Sequence, residues 1–218
     1  MNPSPLSEFE AQNESLVAPV RARLASLCRD PSQHARFLNM LSLLEHIGSR
    51  KIMLSRAMAG SGHDVLKHLA EETRHAFFFK RAAEKLARRP LDYSAANTMA
   101  GSSAQFYMDR LDAEIARVLA SAPSVLPYLY MSLVVEFRAV WTYGLYQAVL
   151  TKENAGVTLK SILAEEELHL SGMLVRLKHM DSNVAARIAL FSEFEQIRFR
   201  CLWSRIEEET LNPRLAAE

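Results

Sequence analysis

From residue 33 onward, apolar side chains recur three and four positions apart: Phe37, Leu38, Leu41, Leu44, Met53 and Leu54. That spacing lines one face of an α-helix and predicts a helix over about 33–58. The same period predicts a second helix over about 64–88, on Val65, Leu69, Ala76, Phe79, Ala83 and Leu86, closed by Arg88, Arg89 and Pro90. A third, more polar helix is expected over about 94–120, with Phe106, Leu111, Ile115 and Leu119 inward. Residues 125–150 are strongly apolar and helical in pattern, and further helices follow over about 157–180 and 184–211. Residues 1–13 are polar and read as loose. A short helix over 15–29 follows, and Asp30-Pro31-Ser32 stops it and offers caps for the next. Turn residues cluster at 59–62, 122–124, 151–156 and 181–183. No strand alternation occurs, so the class is all-α: an N-terminal extension, 1–30, before a single helical domain, 31–218.

Composition narrows this picture. The chain of 218 residues is 49% hydrophobic, enough for a sizeable core, and its 7 Gly and 8 Pro suit long helices with few breaks. A net charge of +1 gives no reason to expect a nucleic-acid or membrane partner. Pro127, Glu136 and Arg138 interrupt the most apolar stretch, so a buried helix costs less than a membrane span. No basic-then-apolar leader opens the chain, so a cytoplasmic location is expected, with Cys28 and Cys201 as reduced thiols.

Glutamates sit where apolar residues belong. Glu72 falls in the Val65, Leu69, Ala76, Phe79 stripe, and Glu166 in line with Ile162, Leu163, Leu170 and Met173. Each is followed three residues later by a histidine, His75 and His169, on the same helical face. Glu45 and Glu136 lie on the apolar stripes of the preceding helices. A buried carboxylate is costly unless it meets a cation. In an antiparallel pair, residues equidistant from the turn lie at one level. Glu45 and the 72–75 motif centre on about residue 59, and Glu136 and the 166–169 motif on about residue 152, each beside a turn. Four carboxylates and two imidazoles at one depth of a bundle suit two metal ions.

The order Glu, ExxH, Glu, ExxH over about 33–180 resembles the ferritin-like di-iron carboxylate proteins, as do the acids Glu71 and Glu165 before each motif and Arg74 before the first histidine. The resemblance implies a ferritin-like four-helix bundle with a long crossover and additional N- and C-terminal helices. It implies that Glu45, Glu72 and His75 serve one metal and Glu136, Glu166 and His169 the other, with Glu72 and Glu166 bridging. Glu71 and Glu165 would accept hydrogen bonds from the histidine of the opposite motif. His68, four residues before Glu72, is a candidate extra ligand; the p-aminobenzoate N-oxygenase group of that superfamily carries an additional histidine at this spacing, there in its last motif and not its first. Tyr143, two turns past Glu136, is a candidate redox or hydrogen-bonding tyrosine, with core packing as the alternative. His46 points away from the Glu45 face, and Glu167 reads as a surface charge.

Carboxylate oxygens with imidazoles suit two iron ions, with manganese or a mixed Mn/Fe pair as alternatives. The expected function is an oxidase or oxygenase that uses O2 or peroxide and an electron donor to oxidise a small organic substrate, in a monomer or homodimer. A ferroxidase, peroxide-detoxifying or iron-storage protein and a metal-stabilised structural bundle are the alternatives. Ser42, Gly48 and Ser49 beside Glu45 suit either a substrate pocket or the close approach of a neighbouring helix.

Overall fold

The computed structural model describes residues 3–55 and 62–212, and every regular element among them is an α-helix. In chain order these are α1 (Pro5–Gln12), α2 (Glu14–Arg29), α3 (Pro31–Leu54), α4 (His63–Ala87), α5 (Gly101–Val118), α6 (Leu126–Lys152), α7 (Lys160–Met180) and α8 (Val184–Leu211). The expected turn residues Ala59, Gly60 and Ser61, and the expected end of the first long helix at Met58, lie outside the described residues. No described helix is long and apolar enough to cross a membrane. The chain divides into two compact units. One comprises Met1–Leu24 and Leu111–Ile197, the other Ala25–Arg110 and Arg198–Glu218.

In the first unit α6 and α7 form a hairpin whose loop, residues 153–159, falls slightly later than the turn residues suggest. Its core includes Phe9, Leu129, Tyr130, Leu133, Phe137 and Phe191. Phe9 belongs to a segment expected to be loose. Ser4 caps α1 by accepting from the Ser7 N–H at 3.1 Å, and Pro5 presets its first turn. What anchors the helix is Arg138, buried on α6. Its guanidinium donates to both carboxylate oxygens of Glu195, at 2.9 and 2.8 Å, and to Asn13 Oδ1 at 2.9 Å. It also lies 4.7 Å from the Phe9 ring and 4.8 Å from that of Trp141. Asn13 in turn donates to the Phe9 carbonyl at 2.8 Å. Farther along, the Tyr130 hydroxyl donates to Asp181. Burial, then that carboxylate, pushes the phenol pKa up. Burial works to raise the Asp181 pKa, but Tyr130, the Asn183 N–H and Arg187 together hold it below the usual range.

In the second unit α3 and α4 pack as a hairpin over Phe37, Leu38, Phe79 and Ala83. Asp30 caps α3 as its sequence suggests, accepting from the N–H groups of Ser32 and Gln33 at 2.9 and 3.1 Å. The third long helix, however, begins at Gly101, not near residue 94. Asp92 accepts from the Ser94 N–H at 3.1 Å and from Asn97 Nδ2 at 2.6 Å. The Ser94 and Asn97 bonds lower its pKa to about 2. Buried Asn39 donates to the carbonyls of Asp92 and Asn97 at 2.8 and 3.0 Å. These side chains offer the backbone an alternative to the helix, and the alternative wins.

Inward faces also differ in detail. Phe106 is 61% exposed, because it lies five residues before Leu111, about 140° around the helix. Ala104, Tyr107 and Met108 take the inner side with Leu111, Ile115 and Leu119. Phe77 is also 61% exposed, although its neighbour Phe79 is fully buried. Met53 and Leu54, at the end of α3, are exposed where Ile52 is buried.

Two outcomes follow from the buried polar groups. Arg138→Ala leaves the Glu195 carboxylate buried without its guanidinium and should lower unfolding free energy in urea by about 3–5 kcal/mol. The paired replacement Arg138→Met with Glu195→Leu should recover most of that loss. His34, buried on α3, has its pKa lowered to about 4 by desolvation. A histidine whose folded pKa is depressed stabilises the fold above its unfolded pKa of about 6.5 and loses that contribution as pH falls towards 4. His34→Gln should therefore flatten the dependence of melting temperature on pH between about 6.5 and 4.

Candidate metal centre

Within the α3–α4 hairpin, helical period turns Glu45, His68, Glu72 and His75 inward, and each is at most 7% exposed. Glu45, Glu72 and His75 each offer a ligand atom within 4.8 Å of the others. His68 Nε2 lies 3.5 Å and His75 Nδ1 3.8 Å from Glu72 Oε1. That oxygen is buried and accepts no hydrogen bond, a costly state for a carboxylate oxygen and one that a cation relieves. Ligand atoms about 2.1 Å from a common ion stand up to about 4.2 Å apart, so the set has close to the spacing that an ion requires.

Within the α6–α7 hairpin, Glu136 and Glu166 are likewise buried, and the His169 side chain is 8% exposed. His169 Nδ1 is 2.9 Å from Glu166 Oε2 and 3.5 Å from Glu136 Oε1. One ring nitrogen thus faces two carboxylates on adjacent helices. Each hairpin, considered by itself, brings its lone glutamate and its ExxH motif to one level. In both, the donors are carboxylate oxygens and imidazole nitrogens, a hard set that fits iron or manganese.

The remaining sequence candidates lie as follows. Glu71 is half-buried with Lys67 Nζ 3.5 Å away on its own helix. Glu165 is half-buried on α7, and Glu167 is exposed. Tyr143 is buried on α6, two turns beyond Glu136. His46 stacks on the Tyr93 ring at 5.9 Å, and burial, then Arg50 and Lys80, lowers its pKa. His68 joins the inward face beside Glu72; the four-residue spacing was its signal in the sequence.

Protein atoms surround the small residues near Glu45. The Ser42 hydroxyl donates to the Ala76 carbonyl at 2.8 Å and lies 2.8 Å from the Tyr93 hydroxyl. Ser49 donates to the His46 carbonyl of its own helix at 2.9 Å. A Cβ on Gly48 would stand 3.3 Å from Glu72 Oε2 and 3.9 Å from Met108 Cε. Gly48 therefore makes room for the Glu72 carboxylate, and the close approach of α4 accounts for Gly48 and Ser42, while Ser49 bonds within its own helix. No family model, curated protein or solved structure matches the chain.

Gly48→Ala tests this packing. Alanine favours the helix by up to about 1 kcal/mol, so the metal-free protein should melt no lower. The added methyl displaces the Glu72 carboxylate by a few tenths of an ångström, so affinity for Mn(II) or Fe(II) should fall several-fold in a direct titration.

Proposed function

We propose that the chain is a di-metal protein of the ferritin-like di-iron carboxylate type, holding two iron ions and oxidising a small organic substrate with O2 or peroxide. The observation that carries this reading is the burial of four carboxylates whose nearest titratable neighbours include three histidines, with Glu72 Oε1 accepting no hydrogen bond. Glu45, Glu72 and His75 would hold one ion and Glu136, Glu166 and His169 the other, with His68 as an extra donor beside Glu72. When bound, a pair of ferrous ions supplies the electrons that reduce the oxidant.

The chain's own residues do the rest. The carboxylates offset the charge of the ions and limit their open positions. The helical faces carrying Leu38, Leu41 and Phe79 in one hairpin, and Leu133, Val140 and Leu170 in the other, keep bulk water from the ligands. Each histidine would give an ion the lone pair of one ring nitrogen.

Anaerobic loading with Fe(II) followed by elemental analysis should give two ions per chain. Glu72→Ala and Glu166→Ala should each lose both ions, because these glutamates are the proposed bridges. Loss of one ion from each variant would mean two independent sites, and full occupancy in both would overturn the assignment. One pulse of O2 to the loaded protein should then oxidise the iron, and variants without metal should consume no O2.

A further inference from the structure

Within the unit of Met1–Leu24 and Leu111–Ile197, α7 turns Ile162, Glu166, Leu170, Met173 and Leu177 inward. Its opposite face carries a second apolar row. Leu168 and Val175 stand two turns apart there, 64% and 55% exposed, and Ala164 and Gly172 are exposed along the same row. Apolar side chains lined up on the solvent side of a helix form a patch of the kind that marks an interaction surface. A Cβ on Gly172 would meet nothing within 4 Å, so no neighbour in the chain requires a glycine there. Glycine weakens the middle of a helix relative to alanine, and the close approach of another backbone is a reason to keep it.

The charges beside this row are self-complementary. Leu168 and Val175 are centred on the bond between Ser171 and Gly172, with Glu165 and Glu167 before that centre and Arg176 and Lys178 after it. Helical period puts Glu165 and Arg176 on one flank of the row and Glu167 and Lys178 on the other. About a two-fold axis through the centre, a second α7 runs antiparallel, its Val175 against Leu168 and its Gly172 beside Ser171. Each flank then sets an acid of one copy against a base of the other: Glu165 with Arg176, and Glu167 with Lys178. Each pair is offset along the helix by two residues, about 3 Å, within reach of these long side chains. A parallel pairing would instead set like charges at one level.

We propose that two copies of the chain associate through the outer faces of α7, antiparallel, with Leu168 and Val175 in the contact and Gly172 at the crossing. One helix pair covers less than the roughly 800 Å² per partner of a standard interface, so the dimer is weak and dissociates in the micromolar range. Glu166 and His169 lie on the other side of α7, and the contact does not depend on the proposed metal centre.

Sedimentation equilibrium of the full chain at low salt, from micromolar to half-millimolar, tests the proposal and should show a monomer–dimer equilibrium. Val175→Asp should weaken association roughly tenfold or more by placing an unpaired charge in the contact. Gly172→Leu should do the same by holding the two helices apart. Glu167→Lys and Lys178→Glu should each weaken it several-fold by setting like charges together, and the variant carrying both should recover it. Unchanged circular dichroism and melting temperature establish that each variant is folded. A chain that stays monomeric at half-millimolar would overturn the proposal. So would a dimer undiminished by both Val175→Asp and Gly172→Leu, which uses another face, or a double charge variant no tighter than the single ones, which removes the antiparallel pairing.

Discussion

A carboxylate withdrawn from water must meet compensating charge or donors, and this requirement organises both units. Three buried acids meet arginine: Glu195 with Arg138, Glu209 with Arg36, and Asp181 with Arg187. Arg138 and Arg36 reach their acids from distant parts of the chain and tie helices together, whereas Arg187 lies six residues from Asp181, across the α7–α8 turn. Beside Glu72, Glu136 and Glu166 the structure places histidines instead. A neutral imidazole supplies a lone pair and no charge, so it suits a metal site and serves poorly as a counter-ion. That contrast within one molecule separates acids that staple helices from acids proposed to bind ions.

The same requirement explains local packing. A carboxylate on the inward face of a helix needs more room than the methyl groups around it, and Gly48 provides that room for Glu72 at a cost in helix propensity. Ser42 bridges α3 to the carbonyl of Ala76, the residue after His75, and so braces the helix segment that carries the ExxH motif. Small residues beside a charged group thus reflect shape and hydrogen bonding.

Helix identity was legible wherever apolar residues recurred at helical period over several turns, as in α3, α4, α6, α7 and α8. It was least legible where one side chain from a distant part of the chain decided the outcome. Residues 5–12 are helical and docked because Arg138 needs Asn13 Oδ1 and a ring face from Phe9. Residues 94–100 are not helical because Asn39 and Asp92 hold their backbone in turns. No local window of sequence joins Arg138 to residues 5–12 or Asn39 to residues 94–100. Phe106 is different: it is exposed because it stands about 140° around the helix from Leu111, a local reason.

By itself the sequence determined the all-helical class, the hairpin pairing of each lone glutamate with its ExxH motif, and the inward direction of Glu45, Glu72, His75, Glu136 and Glu166. All of these follow from a period of 3.6 residues and from distance to a turn, which are local quantities. Tertiary structure decided which acids meet arginine and which meet histidine, why Gly48 is small, and that the N-terminal segment folds. Those outcomes depend on contacts between residues as far apart as Asn13 and Arg138, or Arg36 and Glu209, and on the cost of leaving a buried charge uncompensated.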